Sequence, residues 1–421
     1  MDNILRELVN LSVLVQGLAF AELLQAVIAL SAYIVLGNAI LRPSYSLRLK
    51  AALFAVLNIT AVYAFFFQEN FAWPIVYERT RFLSFAAYLA FGALHWFLVD
   101  AVGRWRSTPW VYWLALLFPI APLVVVKFET AWHLIGFSYM AFRMAQAAFE
   151  KRRKPDLELS LSNYLAFLFF PLTIPIGPIS PFAYFSRGVG NGVAPSLLSM
   201  ARGLARIALG YVMLRFLATL SFQLSFGGMW SDGFKHGVGD VLIASYATLA
   251  HLYFNFAGFT HIVIGASALV GIPVKENFDS PVLSRSIKEF WNRWHITLSE
   301  FVRDLVYTPL AVSLTRALGA PFALPAAIFA AMVTFTIIGV WHQFSLGFLL
   351  FGVMHGIGFS VNVVFDQFWR RGGRATGVWA APRAGLSWLL TMTYIALSMV
   401  FIEFPTMEQA QAALTAFEPR W

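Results

Sequence analysis

The sequence predicts an all-α, polytopic transmembrane protein, and three observations carry that reading. Of its 421 residues, 59% are hydrophobic and only 12% are charged, where a soluble domain carries about 25% charged residues. The mean hydropathy is +0.69. Apolar stretches of about 20 residues, long enough to cross a bilayer as helices, recur along the whole chain. They are continuous rather than alternating, which argues against a transmembrane β-barrel.

Taken in order, the expected spans are Leu11–Ile40, Ala51–Phe67, Phe82–Val102, Trp110–Lys127, His133–Phe149, Leu204–Leu224, Val241–Val270, Phe322–Trp341, Leu346–Phe368 and Leu386–Phe404. The first and seventh exceed what a bilayer needs, so they are expected to be tilted or broken. The N-terminus shows no short apolar core followed by a cleavage site, so the first span is expected to be retained. Between spans, "RPSYSLRLK", "GRWRS" and "EKRRKP" are basic, and they alternate with "QENFAW" and "FETAW". Basic loops face the cytoplasm, which places the N-terminus outside. The basic "WRRGGR" at 369–374 then also falls inside if Leu161–Pro181 dips in and returns. That segment carries Pro171, Pro175, Pro178 and Pro181 with Gly177. Prolines there break a helix repeatedly, so a re-entrant segment or cavity wall is expected, bringing the count to about 10–11 spans. No repeat or soluble domain is visible.

Net charge is +9. Because the basic residues sit in short loops between spans, membrane topology explains them and nucleic acid is not an expected partner. The chain contains no cysteine, which excludes disulfides, thiolate catalysis and cysteine–metal sites.

Against this apolar background, "FWNRWHITLSEFVRDLVYTPL" (290–310) is dense in polar groups. From Ile287, apolar residues recur at Phe290, Trp291, Trp294, Leu298, Phe301, Val302, Leu305 and Val306, one stripe of a helix. Lys288, Asn292, His295, Ser299 and Arg303 form a second stripe. The segment is too charged to span. It is expected to be an interfacial amphipathic helix, its polar face either meeting headgroups or lining a cavity. The mixed signs of Arg293, Glu300, Arg303 and Asp304 favour internal pairing.

A second concentration is "GVWHQFSLGFLLFGVMHGIG" (339–358). His342 and His355 are the only ionisable side chains between Arg316 and Asp366. An ionisable group at membrane depth is costly and marks a candidate site; the alternative is a neutral histidine bonded to a neighbouring helix. Asn255 and His261 lie in "YFNFAGFTH", where Gly258 and Gly265 offer close helix packing as the other explanation. The spacings of His251, His261, His342 and His355 match no metal motif, so no metal is expected.

Together these motifs resemble the membrane-bound O-acyltransferase family, in its alginate O-acetylation and teichoic-acid D-alanylation branches. "YLAFLFFPLTIPIGPI" resembles a Pro-rich re-entrant stretch, and "LYFNFAGFTH…FVRDLVYTPL" resembles the family's longest block. "GVWH" with "FGVMHG" resembles its histidine-bearing end. The resemblance runs from about Trp132 to Gly358. It implies one acyltransferase domain over 1–421, with an N-terminal helical ridge (1–130), a core (131–358) and C-terminal spans (359–421) around a central tunnel.

By the same resemblance, His342 takes the place of the family's tunnel histidine and His295 that of the histidine facing the cytoplasmic mouth. His342 and His295 are the candidate catalytic residues, with His342 activating an acceptor hydroxyl as base. Asn292, Arg293, Ser299, Arg303, Asp304, Gln343, His355 and Asn255 are the candidate substrate-binding residues. Gln343 stands where the family often has glycine, and Ala311–Ser313 replace the residues that follow "PL" in the acetylation branch, so the Asn or Asp partner found in many members has no match at this point. No bound cofactor is implied. The donor would be an acyl thioester, acetyl-CoA or an acyl or D-alanyl carrier protein, delivered from the cytoplasm. The acceptor would be a hydroxyl of an envelope polymer, with an extracytoplasmic partner transferase, in the bacterial inner membrane. A lipid or small-molecule acceptor, or a non-catalytic acyl-group transporter, are the alternatives.

Overall fold

The structure, a computed structural model, describes residues 20–66, 81–128, 136–192, 195–231, 236–237, 239–368, 380–404 and 406–416. The start of the first expected span, the loop "QENFAW", most of "FETAW" and the basic loop at 369–374 lie outside the described residues. Twenty α-helices occur among the described residues, with no strand. They begin with α1 (Phe20–Ile40), α2 (Leu47–Phe66), α3 (Arg81–Arg104), α4 (Pro109–Leu117), α5 (Ile120–Phe128), α6 (Phe137–Arg153), α7 (Leu161–Leu168), α8 (Phe182–Asn191) and α9 (Leu197–Val212). Then come α10 (Ala218–Gln223), α11 (Phe226–Ser231), α12 (Asp240–Val270), α13 (Ile287–Arg293), α14 (Ile296–Val302), α15 (Thr308–Leu318), α16 (Ala323–His342), α17 (Leu346–Phe368), α18 (Ala380–Ser398), α19 (Val400–Glu403) and α20 (Met407–Ala416). Seven helical segments among the described residues are long and apolar enough to cross a membrane, and 25–40 and 109–124 are shorter apolar stretches. The chain is a polytopic all-α membrane protein.

One expected span is broken at its prolines. Trp110–Lys127 divides into α4 and α5 at Phe118–Pro119. Pro119 and Pro122 each lack the N–H that a continuing helix would need.

Two compact units form. Of the described residues, 20–211 with Phe259–Glu276 make one; Val212–Gly258 and those from Asn277 onward make the other.

In the first unit the Pro-rich segment breaks as its composition dictates. Helix α7 ends at Leu168, a 3₁₀ turn follows at Pro171–Thr173, and the chain runs irregularly to α8. Nearly all of 167–180 is buried. Irregular backbone buried this deeply must find partners within the protein. The fully buried Arg143 of α6 donates to the carbonyls of Phe167 and Leu168, each at 3.0 Å, and to the Thr173 hydroxyl. The Glu150 carboxylate accepts from Phe182 N (2.7 Å) and Ala183 N (2.9 Å), capping the start of α8. Close packing explains Gly265 in the same unit: a Cβ there would strike the carbonyl oxygen of Gly203. His261 Nδ1 accepts from Arg206 Nε (3.3 Å), and the same guanidinium is bidentate to Glu276 at 2.5 and 2.6 Å.

In the second unit, α16 and α17 form an antiparallel hairpin closed by Gln343–Ser345. Gly339 and Gly352 let the two backbones touch, since a Cβ on either would collide with the carbonyl of Phe348 or Phe335. Small residues at a helix seam allow this approach. The hairpin fixes the height of His342, the last residue of α16, against α17.

Candidate active site

The site lies within the second unit and starts from a helix break. Ser286 caps α13 by accepting from Glu289 N (3.1 Å), and the Glu289 carboxylate accepts from Arg285 N (2.8 Å), a capping arrangement of the S-x-x-E type. Glu289 also pairs with Arg293 at 2.9 Å. Trp294 is extended, and His295 adopts φ 43°, ψ 52°. A non-glycine residue rarely occupies this left-handed region, which costs about 1–3 kcal/mol.

Asn277 holds the break in place. Its carbonyl accepts from Ile296 N (2.9 Å), while its side-chain Oδ1 accepts from Thr297 N (3.2 Å), Thr297 Oγ1 (2.8 Å) and His295 Nδ1 (3.1 Å). The Thr297 N–H can only donate, so the atom it meets is the amide oxygen. His295 Nδ1 therefore carries the proton, and Nε2 keeps its lone pair. The imidazole is 3% exposed and meets the Phe256 ring edge-on at 4.7 Å. Burial, and secondarily the proximity of His342, hold its pKa well below the ordinary histidine value.

This corrects the single amphipathic helix expected from the sequence. The polar stripe is split at His295, because Asn277 accepts hydrogen bonds there and the left-handed residue redirects the chain. Lys288, Asn292, Ser299 and Arg303 line a cavity of about 470 Å³. His295, expected at the cytoplasmic mouth, is instead buried against Asn277 and is not among the lining residues. The cavity has a polar rim, where Lys288 and Asp366 pair at 3.2 Å, and apolar walls including Trp291, Phe335 and Ile338. A π-helical turn at Arg303–Tyr307 carries Arg303 and one further lining residue, Tyr307. Pro309 follows the turn and cannot supply the N–H that would bond the Leu305 carbonyl one turn back. Ile338 sits four residues before His342 on α16, so the apolar end of the cavity lies about one helical turn from that histidine.

His342 is half-buried, its ring 4.4 Å from that of Trp341 and 6.1 Å from Phe348. Gln343 follows in the turn between α16 and α17. His355 is buried on α17 with both ring nitrogens engaged: Nδ1 accepts from Trp291 Nε1 (3.1 Å) and Nε2 meets Ser398 Oγ (3.0 Å). Arg293 is committed to Glu289, and Asp304 pairs with Arg303 at 3.3 Å. Asn255 is buried on α12 beside Phe256 and does not line the cavity. Residues passed over in the sequence are Asn277, Thr297 and Trp291 as a cavity wall. Asn277 lay inside the quoted block, but it is 18 positions before His295, with a 3₁₀ turn and α13 between them, and no periodicity links the two. Among the described residues, no cluster of three or more histidine, aspartate or glutamate side chains is placed to hold a metal ion.

A multi-pass helical protein with a buried histidine, a second histidine nearby and a polar-rimmed cavity is the class that these features define. The profile of the MBOAT, membrane-bound O-acyltransferase family matches residues 44–402, and the chain belongs to that family. It is 31% identical over 275 residues to a teichoic acid D-alanyltransferase of Streptococcus thermophilus, covering 61% of this chain and 65% of that one. It is 32% identical over 174 residues to the probable alginate O-acetylase AlgI of Pseudomonas aeruginosa, covering 41% of this chain and 30% of that one. It is also 32% identical over 163 residues to a peptidoglycan O-acetyltransferase of Helicobacter pylori, covering 39% and 28%. The match thus spans less than two thirds of the length of each of these relatives.

Proposed function

We propose that the protein is an acyltransferase that moves an acetyl or D-alanyl group from a cytoplasmic thioester to a hydroxyl of a cell-envelope polymer. The names of its relatives, which refer to teichoic acid, alginate and peptidoglycan, support an envelope polymer as acceptor. The observation that carries the reading is His342, about one helical turn beyond the Ile338 wall of a polar-rimmed cavity, with the buried His295 near enough to feel its charge.

The acceptor oxygen attacks the thioester carbonyl carbon while His342 takes the hydroxyl proton, because a neutral hydroxyl is a weak nucleophile. The carbon–sulfur bond then breaks, and the leaving sulfur receives the proton back from His342. No net proton or electron is exchanged. His295, kept neutral and held as one tautomer by Asn277, lies beside the base without adding a second positive charge to it. Lys288 and Arg303 at the cavity rim, paired with Asp366 and Asp304, can exchange those carboxylates for the anionic groups of either an acidic carrier protein or a coenzyme A thioester. The inner membrane is the compartment this reading requires, with a separate extracytoplasmic transferase as partner where the acceptor is remote.

The test is reconstitution. Purified protein given a radiolabelled acyl thioester and a hydroxyl acceptor forms an ester if it is a transferase. If label instead crosses the bilayer unesterified until a second protein is added, the chain is a transporter and the proposal fails.

A further inference from the structure

A second histidine is wired into the cavity wall without lining it. Trp291 Nε1 is a donor only, so its 3.1 Å contact makes His355 Nδ1 the acceptor and leaves the ring proton on Nε2. That Nε2–H donates to Ser398 Oγ (3.0 Å), and the Ser398 hydroxyl donates onward to the carbonyl of Ile395 (2.7 Å). The chain of bonds therefore runs in one direction, from α13 through α17 to α18, and each polar atom in it is satisfied. His355 is 1% exposed, Ser398 0% and Trp291 6%. A buried network that is fully satisfied holds its members in a single arrangement. Trp291 faces the cavity and His355 does not. The indole is packed further against Phe335, with ring centroids 5.1 Å apart, and Phe335 is itself a lining residue.

We propose that His355 is a positioning residue: through its Nδ1 it sets the Trp291 indole as a wall of the cavity that takes the acyl-carrying arm, and it neither touches that arm nor exchanges protons with it. With both ring nitrogens bonded, it has no free donor with which to bind substrate directly, the role expected of it from the sequence. The consequence for the donor rests on the acyl-transfer reading above; the consequence for the cavity does not.

The experiment uses the absence of cysteine from the sequence. Val363→Cys, on the cavity wall, installs a single thiol in the full-length protein, and its alkylation by a small maleimide reports the state of the cavity without any turnover. His355→Ala is expected to raise the alkylation rate about fivefold, as expected for losing one hydrogen bond that restrains the indole. His355→Asn keeps an acceptor where Nδ1 lies and restores the rate; His355→Gln keeps a donor where Nε2 lies and does not. In a Trp291→Phe background, His355→Ala changes the rate no further. In the transfer assay, His355→Ala raises the donor KM about fivefold with kcat within about twofold and both limbs of the pH profile unmoved.

Rescue by Gln rather than Asn, or an undiminished effect of His355→Ala after Trp291→Phe, overturns the proposal in favour of a role in docking α18. Collapse of kcat with loss of a pH limb overturns it in favour of acid–base chemistry at His355. If the wild-type protein forms no ester, the acyl-transfer reading fails, while the alkylation rates still decide whether His355 sets Trp291.

Discussion

Asn277 Oδ1 gathers three donors, from His295 Nδ1 and from the backbone and hydroxyl of Thr297, and so fixes the tautomer of a buried histidine that sits in a left-handed conformation. Removing that oxygen would leave all three donors without it in a site closed to water. Asn277→Ala is expected to destabilise the protein by about 1–3 kcal/mol and to lower transfer. Thermal unfolding in detergent and turnover per folded protein measure the two effects. An unchanged midpoint would show that Asn277 does not hold the break.

The main catalytic assignment is tested at His342. His342→Ala is expected to reduce kcat by at least about 100-fold, the contribution typical of a positioned general base, with the protein retained in the membrane at wild-type level. Turnover close to wild type in that variant removes His342 from the reaction.

Stability should depend on pH through His295. Burial first, and His342 second, depress its pKa in the folded protein, so at mildly acidic pH the unfolded chain binds a proton that the folded chain does not. The stability linked to His295 is therefore present above the unfolded histidine value of about 6.5 and is lost as pH falls below it. The unfolding midpoint should drop between about pH 7 and pH 5. His295→Asn tolerates the left-handed conformation and does not titrate, so its midpoint should drop less over the same range. Equal slopes would count against the assignment.

The rim cations should act on donor binding rather than chemistry. Lys288→Ala and Arg303→Ala are each expected to raise the donor KM several-fold while leaving kcat within about twofold, and the effect should shrink as salt screens the rim. Loss of kcat alone would place these residues in the chemical step.

The α16–α17 hairpin depends on backbone contact. Gly352→Ala would drive a Cβ into the Phe335 carbonyl, and separating the helices is expected to cost about 1–3 kcal/mol, the range for overpacking a tight seam. The unfolding midpoint reads this directly. An unshifted midpoint would mean that the seam yields freely.

Much of the fold was legible because bilayer crossing depends on composition over a window, and composition is a property of the sequence. The prolines of 171–181 announced a broken segment, and Pro119 and Pro122 carried the information for the division of α4 from α5, although a hydropathy window passes over them. The candidate site was legible in part. Lys288, Asn292, Ser299 and Arg303 were picked out by helical spacing and do line one cavity, because the turns on either side of His295 bring their faces together. His295 belonged to the same stripe by spacing, but its side chain is diverted. No local rule predicts a left-handed histidine whose partner lies 18 residues earlier in irregular chain.

By itself, the sequence determined that this chain lies in a membrane as helices and that two short blocks set polar side chains against the apolar background, one dense in charges at 290–310 and one holding only His342 and His355. Both follow from the cost of burying charge in hydrocarbon, which acts residue by residue. Only the tertiary structure decided which of those side chains meet. Arg293 and Asp304 are taken up by ion pairs, His355 is bonded at both ring nitrogens, and His295 is held by an asparagine that periodicity could not select. Hydrogen bonds are short and directional, so their partners are set by where the folded backbone places each atom.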